Sequence, residues 1–312
     1  WSRGLGDVYK RQVTTIAGWF PDRRGFATGL VVMGFGIGAL VMSKILAPKA
    51  LSLANGDLPK TFLIIGLAFL VLLPLFCLGI HSAPVSGAKA GTPMVGEQME
   101  HGVGLQVKLW VLCFLYSLAG LGIISLQSPL MQKIAGAADP SLDKVALAAL
   151  GATFVAWTSV SNSTGRLFWA SVSDKLGRVN TFVVFLSTAA IAFLALPYVK
   201  SPILFGCLLA YTLASYGGGF GTIPTLISDL YGPKRMSPIH GKVLTGWATA
   251  GVTAPPIFGW LMDRFPEQAA TYAFNGCAVV LFLAAILAFT LKSLHTVTTA
   301  PHALDHAADD PA

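Results

Sequence analysis

Arg166 is the residue of this chain best placed to do chemistry. It lies inside an apolar run, eight residues before Asp174, which is about 12 Å along a helix at 1.5 Å per residue. None of the long apolar runs contains an Asp or Glu to pair with it. A guanidinium held this way favours an anionic partner, because its planar fork matches a carboxylate. The competing reading is an arginine that reaches down to lipid headgroups or to Asp174. Asn162 stands one turn earlier on the same helical face, with Ser159 and Ser163 near it, so this run turns a polar stripe towards something other than lipid. Gln127, with Tyr116 about three turns before it, and Tyr211, with Ser215 at i+4, are further polar groups within apolar runs. For both, hydrogen bonding between helices stands beside ligand binding as an open alternative. Lys44 is four residues from Pro48 and can snorkel to a surface.

A second cluster is Asp174-Lys175-Leu176-Gly177-Arg178. A carboxylate where a run ends can accept hydrogen bonds from the positive N-terminus of another helix, and Gly177 permits a tight turn. The bland alternative is an anchoring loop that merely carries positive charge. Other signals point to packing. Cys77, Cys113, Cys207 and Cys277 each lie alone in an apolar run without metal-ligand spacing. Gly217-Gly218-Gly219-x-Gly221 has no following Lys-Ser/Thr, so it is not a phosphate loop. With Pro224 beside it, it reads as a close-packed or kinking face, and Gly34, Gly36 and Gly38 read likewise. Neither a metal nor a cofactor is expected.

The elements that position these residues follow from composition. The 312 residues are 54% apolar and 11% charged, against about 25% charged in a soluble domain. Such a chain cannot cover a water-facing surface, which excludes a soluble enzyme, a nucleic-acid binder and a disordered chain. The net charge of +7 belongs to basic residues set between apolar runs, as in membrane proteins. Eight runs have membrane-spanning length: 26–47, 61–81, 109–131, 146–171, 180–199, 203–227, 243–262 and 271–291. They lack the period-2 alternation of barrel strands. The expected fold is an all-α membrane bundle with a lipid bilayer as partner and a monomeric assembly. Ten loop Lys and Arg on one side against six on the other place 21–25, 82–108, 172–179, 228–242 and the C-terminus in the cytoplasm.

The chain divides at its polar stretches. Residues 1–12 carry Arg3, Asp7, Lys10 and Arg11 before an apolar text and read as a non-native leader. Residues 13–81 read as the remnant of an N-terminal bundle: the end of one span and two full ones. Residues 82–108 read as a tether, 109–294 as a complete six-helix bundle, and 295–312 as a disordered tail. Thr28 and Thr245 stand 217 residues apart, as do Gly34 and Gly251, each pair behind a basic loop. This echo suggests a duplicated architecture whose first half lacks four spans.

Three stretches carry a family resemblance. Asp174-Lys175-Leu176-Gly177-Arg178 resembles the signature loop of the major facilitator superfamily, Gly-x-x-x-Asp-Arg/Lys-x-Gly-Arg, with Ala170 in place of the first Gly. Trp19-Phe20-Pro21-Asp22-Arg23-Arg24-Gly25-Phe26-Ala27-Thr28-Gly29 is similar to the oxalate/formate antiporter family within it. So is Tyr216-Gly217-Gly218-Gly219-Phe220-Gly221-Thr222-Ile223-Pro224, continuing to His240-Gly241-Lys242-Val243-Leu244-Thr245-Gly246-Trp247. The resemblance implies twelve spans, of which eight are present. It implies an inner or plasma membrane location and agrees with Arg166 as the substrate's cation, so the expected site is Arg166 with Asn162, Gln127 and Tyr211 from the polar stripes, and Trp247. It also implies a cytoplasmic gate of Asp174, Lys175, Gly177 and Arg178 against Arg23 and Arg24. A second family cation, a Lys, is replaced here by Trp247. With Arg166 alone, a monocarboxylate is better matched than a dicarboxylate. The function implied is a secondary active transporter of a small organic anion, coupled to a proton or a counter-anion. An efflux carrier for hydrophobic compounds, walled by Trp157, Trp169 and Trp247, is the alternative. A membrane enzyme is disfavoured, because no His, Asp or Glu lies deep in the runs.

Overall fold

In the computed structural model, which describes residue 20, residues 23–78 and residues 103–291, each of the eight apolar runs falls largely or wholly within helix. The 1–12 leader, the 295–312 tail, the tether up to residue 102 and the side chains of Lys44 and Cys77 lie outside the described residues. Helix α1, Arg24–Val41, continues through a π-helical segment, Met42–Leu46, into α2, Ala47–Leu53. The others are α3, Leu58–Leu78; α4, Val103–Ala138; α5, Lys144–Leu176; α6, Arg178–Ala195 with a 3-10 turn at Leu196–Tyr198; α7, Pro202–Tyr231; α8, Pro233–Arg264; and α9, Ala269–Thr290. No strand occurs among the described residues.

Local chemistry sets the boundaries. The Asp143 side chain accepts from the Ala146 N–H at 2.7 Å and starts α5. Ser201 caps α7 through the Leu204 N–H. Single glycines separate α5 from α6 and α7 from α8. Gly177 and Gly232 sit at φ 80° and 78°, a backbone region that a side chain disfavours. The tether is shorter than the sequence suggests. Helix α4 begins at Val103, six residues before the apolar run. Leu105 is buried in the bundle core, so Gln106 and Lys108 belong to a packed helix and not to a linker.

Six helices among the described residues are long and apolar enough to cross a membrane: α3, α4, α5, α6 with its turn, α7 and α9. Helix α1 is apolar but shorter. Helix α8 is diluted by Lys234, Arg235, His240 and Lys242 near its start, Asp263 and Arg264 at its end, and Pro238, Pro255 and Pro256 within.

Helices α4 to α9 form one bundle, with α4 touching α5, α7, α8 and α9. Its centre is aromatic: Phe182, Phe185, Phe193, Phe205 and Phe274 are fully buried. Helix α1 lies across α5 and α7. Helix α3 packs on α2 and presents Phe62, Leu70 and Phe76 outward.

Small residues allow the crossings near Arg166. A Cβ at Gly165 would overlap the Ala214 carbonyl, and one at Gly217 would overlap that of Asn162. Gly218 is closed by Trp169 and Gly219 by Tyr116, and α7 continues as helix through Pro224. On α1 the packing glycines differ from those expected. Gly34 and Gly38 face open space, with no described atom within 4 Å. Of the three named from the sequence, Gly36 alone is closed, by Ser163, and the other close approaches fall on Gly25 and Gly29. The helix crosses α5 on that face, and spacing alone does not distinguish it from its neighbour.

Candidate functional site

The Asp174 cluster ties three helix ends together. Asp174 is in the last turn of α5, and its two carboxylate oxygens accept from the Gly25 and Phe26 N–H groups at 2.9 Å each. Those amides open α1, where unpaired donors and the helix dipole favour an anion. Arg178, just past Gly177, pairs with Asp174 at 2.7 Å and with Asp229 at 3.4 Å. It also donates to Ser173. Asp229, three residues before Gly232 in α7, is a further participant that no spacing in the sequence singles out. Arg24 begins α1 and is half-buried, whereas Arg23 and Lys175 are exposed. The carboxylate thus binds backbone amides, and Arg178 is its salt-bridge partner. Ala170, where the signature loop has Gly, is fully buried and lies against Gly29 and Gly221. The bulk gained on α5 is matched by glycines on α1 and α7.

Two turns deeper, Arg166 is half-buried. Its Nη1 donates to the Val32 carbonyl of α1 at 3.2 Å. Its guanidinium carbon stands 5.1 Å from the centroid of the Phe220 ring, within cation–π range. Phe220 meets Tyr216 edge-on at 5.3 Å and Trp247 edge-on at 6.1 Å. The Trp247 indole N–H donates to the Tyr216 hydroxyl at 3.2 Å. Tyr116 closes the group from α4, edge-on to Phe220 at 5.7 Å. Helices α1 and α7 therefore contact the guanidinium, and α4 and α8 close around Phe220. Trp247 is 43% exposed and lies at the open side, whereas Tyr116 is buried.

The remaining polar residues divide. Asn162, on the Arg166 face, keeps a buried Oδ1 with no hydrogen-bond partner among the described residues. Ser159 and Ser163 bond back to their own helix, at Val155 and Ser159. Gln127 is buried and its Oε1 accepts from Thr158 at 2.6 Å, joining α4 to α5. The Tyr211 hydroxyl shares a hydrogen bond with Thr188 on α6. Both thus take part in helix-to-helix bonds, the alternative their sequence context left open. Of the tryptophans named for the efflux alternative, Trp247 joins the Arg166 cluster, Trp157 is exposed, and Trp169 is buried against Phe168 and Phe185. Phe220 and Tyr216 were missed as site residues because they sit in a glycine-rich run that reads as packing. Their i, i+4 spacing was the available signal. No group of three metal-ligating side chains occurs among the described residues.

A long-helix bundle with glycine joints, an interhelical carboxylate latch and a cation held deep among aromatic rings defines a membrane carrier architecture. Residues 12–241 and 145–306 match the Major Facilitator Superfamily, and the chain belongs to that family. It is therefore a multi-pass membrane protein of a transporter family, not of an enzyme family. It is similar to the oxalate:formate antiporter of Oxalobacter formigenes, at 25% identity over 300 residues, covering 93% of this chain and 66% of that protein. It is also similar to the uncharacterized MFS-type transporter YhjX of Escherichia coli (strain K12), at 23% over 256 residues, covering 80% and 61%. A third relative is apicoplast pyruvate carrier 1 of Toxoplasma gondii, at 21% over 328 residues, covering 86% and 58%. The chain spans less than two thirds of the length of each of these three relatives.

Proposed function

We propose that this chain is part of a secondary active transporter for a small organic monocarboxylate, within the oxalate/formate antiporter family. The observation that carries the reading is Arg166, held between the Val32 carbonyl and the Phe220 face with Asn162 beside it. A carboxylate can pair with the guanidinium and receive a further bond from the Asn162 side-chain amide. The neighbouring surface is aromatic, not cationic. Trp247 and Tyr216 offer an apolar wall and hydrogen-bonding edges to the rest of the substrate, and this favours one carboxylate over two. The relatives named for oxalate, formate and pyruvate are consistent with that ligand class.

In this reading all eight runs cross an inner or plasma membrane, with the Asp174 end and the C-terminus in the cytoplasm. Alternating access rocks α1 against the six-helix bundle. Asp174 holds the cytoplasmic side closed by capping α1, and Arg178 and Asp229 hold Asp174 in place. Opening breaks those bonds. Coupling is to a counter-anion or a proton, and the unit is a monomer.

The test is uptake by the protein in proteoliposomes. Labelled pyruvate, lactate and formate should enter and oxalate should compete weakly, with Arg166→Ala abolishing uptake. Transport of lipophilic cations that survives Arg166→Ala would favour the efflux alternative and refute the anion reading.

A further inference from the structure

An open-sided groove of about 240 Å³ runs between α4, α8 and α9, beside the end of α8 and the start of α9. Its lining includes Leu118, Ile257, Leu261, Tyr272, Gly276 and Val280, and it is apolar except for the tyrosine. Neither Arg166 nor any member of its aromatic cluster lines it. From Tyr272 to Val280 the groove follows α9 for about 12 Å, at 1.5 Å per residue.

The mouth of the groove is chemically different. Trp260, Phe265 and Tyr272 form an edge-to-face aromatic chain, with centroids 6.1 Å and 5.2 Å apart. Arg264 lies over the Phe265 ring at 5.7 Å. The Tyr272 hydroxyl is held by Gln268. Trp and Tyr gather where hydrocarbon meets headgroups, and an arginine at that level faces lipid phosphate. Below this belt the groove enters the depth that acyl chains occupy. Asp263 and Glu267 flank Arg264 and are exposed. The mouth therefore carries both charge signs, which suits a headgroup that carries both and disfavours one that is only negative.

We propose that the groove is a phospholipid site: it takes an acyl chain of a zwitterionic phospholipid whose phosphate lies on Arg264. Groove and charge are contiguous, since Leu261 lines the groove one helical turn before Arg264. A free apolar solute would use the groove but not the arginine. A second protein copy would bury the exposed Ile257, Trp260 and Tyr272 and exclude lipid.

The experiment reconstitutes the full chain in phosphatidylcholine vesicles containing a phosphatidylcholine with a photoreactive diazirine in its tail. Adducts are then mapped by mass spectrometry. Labelling at Ile257, Leu261, Gly276 and Val280 should exceed severalfold that at Val279, Leu283 and Ile286, exposed positions on α9 outside the groove. A Cβ at Gly276 meets no described atom within 4 Å, so the side chain of Gly276→Leu starts in open space and occupies the groove. It should remove the excess labelling and leave Leu283 and Ile286 unchanged. Arg264→Gln should weaken the excess severalfold for the phospholipid probe and leave labelling by a diazirine fatty alcohol unaltered. The same probe built on phosphatidylglycerol should show less excess. Uniform labelling along α9, an excess insensitive to both variants, or efficient disulfide dimers of Gly276→Cys in the membrane would each overturn the assignment.

Discussion

Removal of the Asp174 carboxylate should release the start of α1 from the six-helix bundle. Asp174→Ala deletes both bonds to the α1 amides, at 2.9 Å each, and the 2.7 Å pair with Arg178. Hydrogen bonds to a charged group contribute about 1.5–3 kcal/mol each. The Asp174 side chain is 16% exposed, so solvent screening is partial. Arg178 keeps Asp229, and the freed amides gain water once the ends part. A net loss of about 2–4 kcal/mol for the closed arrangement follows, because bonds that act as a unit do not add. At about 1.36 kcal/mol per tenfold, that shifts the closed-to-open ratio by about 30- to 900-fold. Asp174→Asn keeps an acceptor for one amide and should lie between the two. Spin labels at Phe26 and Asn180, both exposed, report the separation by dipolar broadening in proteoliposomes. Broadening should be strong in the parent protein, reduced in Asp174→Asn and lost in Asp174→Ala. Unchanged broadening in Asp174→Ala, with helix content preserved, would refute the capping argument.

Gly217→Ala should destabilise the bundle by about 1–3 kcal/mol, because its Cβ overlaps the Asn162 carbonyl; thermal unfolding in detergent measures this. Gln127→Leu should cost only about 0.6 kcal/mol, the usual worth of an interhelical bond in membranes, and leave substrate affinity unchanged in a binding titration. His240 is buried near the start of α8, ahead of the 243–262 run, and burial lowers its pKa from 6.5 to about 4. Its folded-state value lies below its unfolded one, so the neutral form's contribution is complete above about pH 6.5 and is lost as pH falls towards about 4. The melting temperature should therefore fall more steeply across that range in the parent protein than in His240→Gln.

Much of the architecture is legible because lipid imposes a length on apolar runs. The runs 146–171 and 203–227 lie wholly inside α5 and α7. Helix ends were harder to read. Asp174 and Asp229 both fall inside helices, because each helix continues to the glycine that stops it, Gly177 or Gly232. The α4 start was hidden by Lys108, whose charge ends an apolar run without ending a helix. At the site, Arg166 stood out because a cation is rare in such a run. Its neighbours did not: Phe220 and Tyr216 are ordinary apolar-run residues until α7 crosses α5 and brings them to the guanidinium. Gln127 and Tyr211 illustrate the converse. A polar residue in a span must bond somewhere, and the nearest helix supplied Thr158 and Thr188.

The most direct test of the account is monocarboxylate binding to the purified protein by calorimetry, with the parent compared with Arg166→Lys and Arg166→Ala. A substrate site at Arg166 requires measurable pyruvate or lactate binding by the parent. Arg166→Lys should weaken it, since the charge remains but the fork is lost, and Arg166→Ala should abolish it with the melting temperature maintained. Equal binding by the parent and the Arg166→Ala variant would contradict it.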